Sequence, residues 1–136
     1  ELGRKYANEH HCILILKSCD TMVFAPFSAK KEVQEEGKNF FHNRESCPSL
    51  SKGGSGDIFA GFLAGLLCVL KERYKDLPAR ALAFQASCLS VLIQVRGGKL
   101  AAKEEGEHAV MARDLPQYFA LAMEEFIEKE DREDDR

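Results

Sequence analysis

Between Pro48 and Val69 the chain reads Pro-Ser-Leu-Ser-Lys-Gly-Gly-Ser-Gly-Asp and then a run of apolar residues, and here the residue types best suited to chemistry are gathered. Gly53, Gly54 and Gly56 put three glycines into four positions just ahead of Asp57. Such a loop lets a ligand approach the backbone closely and tolerates positive φ. A helix is expected to follow, with Asp57 as its first residue or cap. Its first-turn N–H groups lack internal partners and lie at the positive end of the helix dipole. Loop and helix start together make an anion site. A carboxylate at the mouth of that site can take the proton from a hydroxyl attacking a phosphoryl group. The plainer alternative is that Asp57 is an ordinary N-cap and the glycines a tight turn. Spacing excludes three familiar motifs. Lys52 precedes the glycines, so there is no Gly-x-x-x-x-Gly-Lys-Ser/Thr; Phe59 breaks Gly-x-Gly-x-x-Gly; Asp57 breaks Gly-x-Ser-x-Gly.

Other reactive residue types give weaker signals. Lys17 follows the apolar run Cys12-Ile-Leu-Ile-Leu16, at the strand end where open α/β sheets place their ligands. It reads as a phosphate contact or as a solvated strand-end charge. His10-His11-Cys12 resembles a metal cluster, but neighbours in a strand point to opposite faces. His42 and His108 add no ligand at ordered spacing, so no metal site is expected. Cys47 has only Arg44 and Lys52 near it in sequence to lower its pKa, and reads as an ordinary loop thiol.

The elements that must position these residues belong to a chain of 136 residues, 45% hydrophobic, long enough for one domain with a real core. A net charge of −3 without a basic cluster argues against nucleic acid. The five cysteines are odd in number and form no C-x-x-C pair, which fits a reducing compartment; the cytoplasm is expected, or an organelle if an import segment is missing. No signal peptide opens the chain, and the 13-residue apolar run Ile58 to Leu70 falls short of the ~18–20 residues that span a membrane. That run reads as a buried core helix, with Gly61 and Gly65 admitting a close neighbour.

In chain order, Leu2 to Glu9 is expected to end a surface helix with Leu2, Tyr6 and Ala7 on one face, and its lack of a start signal implies that the chain begins inside a larger fold. Cys12 to Leu16 has the pattern of a strand buried on both faces, as in a parallel sheet. Thr21 to Ala25 and Lys38 to Asn43 read as two more strands around an excursion from Phe27 to Gly37, forming an appended antiparallel hairpin. Lys71 to Asp76 reads as a charged break. Pro78 opens a helix from Ala79 to about Val95, which Gly97-Gly98 interrupts or kinks before Leu100 to Glu105 continues it. Asp114 caps the last helix, whose apolar face carries Leu115, Phe119, Met123 and Phe126. The charged stretch 128–136 is expected to fray into solvent.

In this order the features resemble the carboxyl-terminal half of the ribokinase-like superfamily, nearest its ATP- or ADP-dependent NAD(P)H-hydrate dehydratases. Ile13-Leu-Ile-Leu-Lys17-Ser-Cys-Asp-Thr21 is similar to the family's strand ending in Leu-Lys-Gly-x-x-Thr. Asn43 through Asp57 follows its Asn-x-Thr-Gly-Asn-Pro-Gly-Leu-Ala-Thr-Gly-Gly-Thr/Ser-Gly-Asp without a gap. Ile58-Phe-Ala-Gly-Phe-Leu-Ala-Gly-Leu-Leu resembles the following helix, and Ala112-Arg-Asp114-Leu-Pro the family's late helix start.

The resemblance implies an α/β, ribokinase-like fold: a parallel-core sheet with an appended hairpin and flanking helices. Residues 1–127 would be the carboxyl-terminal part of a larger three-layer domain and 128–136 a charged tail. It implies that Lys17, Ser18, Cys19, Asp20 and Thr21 line ATP or ADP, with Lys17 near the phosphates. Gly53, Gly54, Ser55 and Gly56 would form the anion hole. Asp57 would be the catalytic base and, with Asn43, a substrate contact; Mg2+ would bridge the nucleotide phosphates. The implied reaction is metabolite repair: phosphorylation of the C6 hydroxyl of hydrated NAD(P)H, then loss of phosphate. The missing amino-terminal half would be a required partner, a homo-oligomer is expected, and neither nucleic acid nor membrane is.

The chain departs from the family pattern at Glu45-Ser46-Cys47-Pro48-Ser49, at Ser18, at Lys52, and at Gln94, where the family often has histidine. Two alternatives stand beside this reading: a related kinase of hydroxymethylpyrimidine or thiazole alcohols, and a diverged, non-catalytic nucleotide-binding subunit. Retained Asp57 speaks against the second, because a carboxylate beside a polyphosphate costs a pure binder affinity.

Overall fold

A computed structural model describes residues 1–27 and 39–134, with side chains described as far as residue 126. The excursion expected over Phe27 to Gly37 lies outside the described residues except for Phe27, as does Lys38 at the expected start of the third strand. The elements in order are α1 (Leu2–Glu9), β1 (Leu14–Leu16), β2 (Thr21–Phe24), β3 (Phe40–Asn43), a 3₁₀ turn (Pro48–Leu50), α2 (Ser55–Arg73), α3 (Ala79–Glu105), a second 3₁₀ turn (Ala112–Asp114) and α4 (Leu115–Asp134). The architecture is α/β, with a small three-stranded sheet and helices.

The chain divides into two compact units, one of Glu1–Glu45 with Leu63–Val91 and the other of Ser46–Phe62 with Leu92–Arg136. In the first, the strands run in the order β1-β2-β3 and both pairings are antiparallel. Leu14 faces Phe24 and Leu16 faces Met22; Thr21 faces Asn43, Met22 faces His42 and Phe24 faces Phe40. The hairpin of β2 and β3 is therefore present, whereas no parallel pair occurs among the described residues. The apolar run before Lys17 is not buried on both faces: Leu14 and Ile15 are half-buried and Leu16 is 43% exposed, and among the described residues β1 pairs with β2 alone.

Helix α1 also packs differently from its sequence pattern. Its buried residues are Gly3 and Ala7, one turn apart, while Leu2 is 84% exposed and Tyr6 is exposed. Small residues win this face because Phe24 of β2 presses against it: a Cβ on Gly3 would lie 2.6 Å from the Phe24 ring.

The second unit gathers Phe59, Ile93, Val95, Ala101, Val110, Leu115, Phe119 and Ala122 into its core, and the rings of Phe62 and Phe119 meet edge-on at 5.3 Å. Two expectations for the helices are corrected here. α3 runs through Gly97-Gly98 without interruption. A Cβ on Gly97 would lie 2.7 Å from the Phe119 ring and 2.9 Å from the Tyr118 carbonyl oxygen, and one on Gly98 would lie 2.8 Å from both Cys47 Sγ and Leu50. These glycines admit neighbours to the helix rather than ending it. α2 is not a buried core helix: Phe59 and Leu66 are buried, but Ala60, Gly61, Ala64, Gly65, Cys68 and Val69 are exposed. Nothing lies within 4 Å of a Cβ placed on Gly61 or Gly65. It also continues through Lys71 to Arg73, so the charged break begins later than expected.

Arg96 of α3 and Glu125 of α4 form a two-point ion pair at 2.5 and 2.9 Å, and Tyr118 donates to Glu105 Oε1 at 2.7 Å. That hydrogen bond, with burial and the neighbouring carboxylates, pushes the Tyr118 phenol up to about 12. The last helix continues to Asp134, into the charged stretch.

Candidate functional site

The glycine-rich loop belongs to the second unit. Gly54 has φ +87, a left-handed conformation that glycine adopts without a Cβ penalty. Its carbonyl accepts from Ile58 N at 3.1 Å, and Ser55 N donates to Lys52 O at 3.2 Å. Helix α2 therefore starts at Ser55, two residues earlier than expected, and Asp57 is its third residue instead of its cap. Asp57 is thus not the N-cap of the described helix, while the glycines do form the tight turn that the plainer alternative expects. Asp57 is exposed, and its carboxylate makes no hydrogen bond or ion pair among the described residues. Gly53, Gly54 and Gly56 are exposed and Ser55 is buried, so the backbone of the loop faces outward at the helix start.

Two contacts within the same unit hold this loop. Ser49, fully buried, donates its hydroxyl to the Gly98 carbonyl of α3 at 2.8 Å, and Cys47 Sγ lies 3.2 Å from that hydroxyl. The turn Pro48–Leu50 is thus anchored on the α3 glycine pair just ahead of the site. On the other side, a Cβ on Gly54 would lie 3.3 Å from the Ala112 side chain. The turn at Ala112 is closed by Asp114, whose Oδ2 accepts from Met111 N at 2.9 Å. Asp114 so caps the 3₁₀ turn that leads into α4. Lys52 reaches the His108 carbonyl at 3.4 Å, which gives this departure from the family pattern a structural partner. Gln94 is buried in α3, and its Nε2 has no hydrogen-bond partner among the described residues.

Lys17 to Thr21 and Asn43 belong to the first unit. Lys17 follows β1, exposed overall, and desolvation of its amine draws its pKa below the ordinary lysine value. Thr21 and Asn43 are brought directly opposite each other by the β2–β3 register, both buried, and Asn43 Nδ2 donates to the Glu45 carbonyl at 2.9 Å. Asp20 is the hub of the turn. Its Oδ1 accepts from Ser18 Oγ at 3.1 Å and Cys19 Sγ at 3.5 Å, and its Oδ2 lies 2.8 Å from His42 Nε2. The His42 contact first, then those to Cys19 and Ser18, hold the Asp20 carboxyl below the usual aspartate range. In sequence His42 is an isolated histidine, without a metal-ligand spacing and without a visible partner. The signal that could have found it is register: His42 faces Met22, so Asp20 is its diagonal neighbour on the same sheet face.

Among the described residues, no three His, Cys, Asp or Glu side chains are grouped closely enough to hold a metal ion, and no helix is long and apolar enough to cross a membrane. Chemically, the loop offers backbone donors and a carboxylate unengaged among the described residues, and the strand-end turn offers the Lys17 amine and an Asp20 carboxylate ordered by Ser18, Cys19 and His42.

The family described as Carb_kinase, NAD(P)H-hydrate dehydratase, matches residues 1–120. Two curated relatives are both described as bifunctional NAD(P)H-hydrate repair enzymes. That of Moorella thermoacetica is 27% identical over 129 residues, covering 95% of this chain and 21% of the relative. That of Methanospirillum hungatei is 30% identical over 80 residues, covering 59% of this chain and 14% of the relative. The chain thus spans about a fifth or less of the length of these relatives.

Proposed function

The chain belongs to the NAD(P)H-hydrate dehydratase family, and on that premise we propose that it serves the nucleotide-dependent dehydration of hydrated NADH or NADPH. The observation that carries this reading is Asp57: an exposed, unengaged carboxylate in the first turn of a helix that begins behind a left-handed glycine. In the proposed mechanism Asp57 takes the proton from the C6 hydroxyl of the hydrated nicotinamide as that oxygen attacks the terminal phosphoryl group. The N–H groups of Gly53, Gly54, Gly56 and Asp57 meet the phosphoryl oxygens and stabilise the charge that develops there, while Ser55 N is held by the Lys52 carbonyl. Lys17 to Thr21 contact ATP or ADP, with Lys17 near the phosphates, and Asn43 and Asp57 contact substrate. Loss of phosphate from C6 and of a proton from C5 then forms the C5–C6 double bond and restores NAD(P)H. The donor set of this chain, lacking a three-ligand cluster among the described residues, fits a Mg2+ that arrives on the nucleotide phosphates.

The reading includes a parallel sheet core completed by sequence outside this chain, with residues 1–127 the carboxyl-terminal part of the ribokinase-like domain and 128–136 a charged tail. The open outer edge of β1 and the exposed glycine face of α2 support it, as does the short span relative to the relatives. A reducing compartment such as the cytosol is supported by five free cysteines. A homo-oligomeric state is carried by the sequence resemblance alone.

The experiment that tests the function is calorimetric titration of Mg·ATP and Mg·ADP into this chain and into any longer gene product that contains it, followed by an assay on hydrated NADH. Binding that Lys17→Ala weakens, with turnover of the hydrate, is the expected result. No binding by a folded, longer product would overturn the reading.

A further inference from the structure

We infer that His42 is a positioning residue for the turn from Lys17 to Thr21: its imidazole fixes the Asp20 carboxylate on the sheet and sets the charge that an anionic ligand meets there. The inference rests on the reading of that turn as a nucleotide contact.

The geometry behind it is a division of labour at one carboxylate. Oδ1 organises the turn itself through Ser18 and Cys19, while Oδ2 is held by His42 from β3, 22 residues away in sequence. Among the described residues His42 is the partner of Asp20 that comes from another strand, so it ties the turn to the sheet. A bare carboxylate beside nucleotide phosphates repels them. With a neutral imidazole, Lys17 and Asp20 sum to no net charge; with a protonated one, the same groups carry one net positive charge. The pair is partly solvated, the His42 side chain being 23% exposed and that of Asp20 39%. A pair so exposed adds little to folding, which makes binding the place to look for its effect.

Cys19 shares the Asp20 carboxylate with His42, and the charged groups of α1 over the sheet face that carries Met22, Phe24 and Phe40 are Glu1, Arg4, Lys5 and Glu9. Side-chain carboxylic acids, thiols and amines ordinarily titrate outside the interval from about pH 6 to 8 where imidazole changes charge, and an α-amine, which titrates inside it, contributes equally to wild type and His42 variants. A pH dependence in that interval that a His42 variant abolishes therefore belongs to the imidazole.

The test is titration of Mg·ADP at pH 6 and pH 8 into the folded, longer gene product that contains this chain, as wild type, His42→Gln, His42→Ala and Lys17→Ala. Glutamine can still donate to Asp20 but never carries the charge. Between pH 8 and pH 6 the wild type is expected to gain about three- to fivefold more affinity than His42→Gln, the size of one partly screened charge. Any protonation of ADP itself cancels in that comparison. At pH 8 His42→Gln should match wild type within about twofold, while His42→Ala, which loses the tie altogether, binds more weakly at both pH values. Binding that needs Lys17 but follows the same pH profile in wild type and His42→Gln overturns the inference and leaves the nucleotide site standing. Binding indifferent to Lys17→Ala, or none, sinks both.

Discussion

Asp57 is exposed and makes no hydrogen bond or ion pair among the described residues, so its replacement by asparagine isolates its chemistry. On the proposed function, Asp57→Asn in the longer gene product is expected to lower turnover of hydrated NADH by about 10²- to 10⁴-fold, the usual contribution of a general base, with nucleotide affinity unchanged or improved. Steady-state rates beside a calorimetric Kd check this; an undiminished rate would remove Asp57 from the role of base. Asp20 is distinguished by titration. Its folded pKa is depressed, first by His42, so its stabilising contribution is complete above the unfolded aspartate value near 4 and is lost as pH falls through the lower folded value. Carboxyl-carbon NMR titration should show the Asp20 midpoint rising toward the ordinary value in His42→Ala; an unmoved midpoint would discount the hydrogen bond. Asp57 was legible in sequence because glycines and a carboxylate at short spacing need no tertiary information to be noticed. The contact between Asp20 and His42 was not, because two strands and an intervening excursion separate them and only register makes them neighbours.

The glycine pair of α3 shows where local preference gives way to packing. Read alone, Gly97-Gly98 is a weak point that costs a helix about 1 kcal/mol per residue relative to alanine. In the fold each glycine receives a neighbour, Phe119 and Tyr118 at one and Cys47 and Leu50 at the other. Gly97→Ala should therefore destabilise despite its better helix propensity, by about 1–3 kcal/mol, since the Tyr118 backbone cannot yield as a side chain can. Denaturant unfolding measures the change; a gain in stability would contradict the packing described. The strands and the starts of all four helices were legible from hydrophobic period and turn residues to within a few residues, but the ends of α3 and α4 were not: α3 runs through Gly97-Gly98 to Glu105 and α4 continues to Asp134. The burial of α2 and β1 was not. An apolar run records that a face is fit for burial, while the neighbour that would cover Gly61 and Gly65 is absent from the described residues.

Across the whole chain the five thiols report on the fold together. Cys19 and Cys68 are exposed, whereas burial pushes the Cys88 thiol up to about 12. Because the thiolate is the reactive form, a thiol-exchange reagent at pH 8 should consume Cys19 and Cys68 rapidly and reach Cys88 only on unfolding. Mass mapping of the labelled peptides checks the order, and early labelling of Cys88 would mean that the first unit is not packed as described. One feature bears on how the protein behaves in the tube. β1 ends in exposed Leu16, and its outer row of N–H and C=O groups faces no strand among the described residues. An open, apolar sheet edge is a template for another chain, so concentrated preparations of this chain by itself are expected to self-associate by intermolecular strand pairing. A charge at the edge opposes that pairing: Leu16→Lys should raise the soluble fraction, read by sedimentation, and the edge that limits handling of the isolated chain would then be identified by the substitution that quiets it.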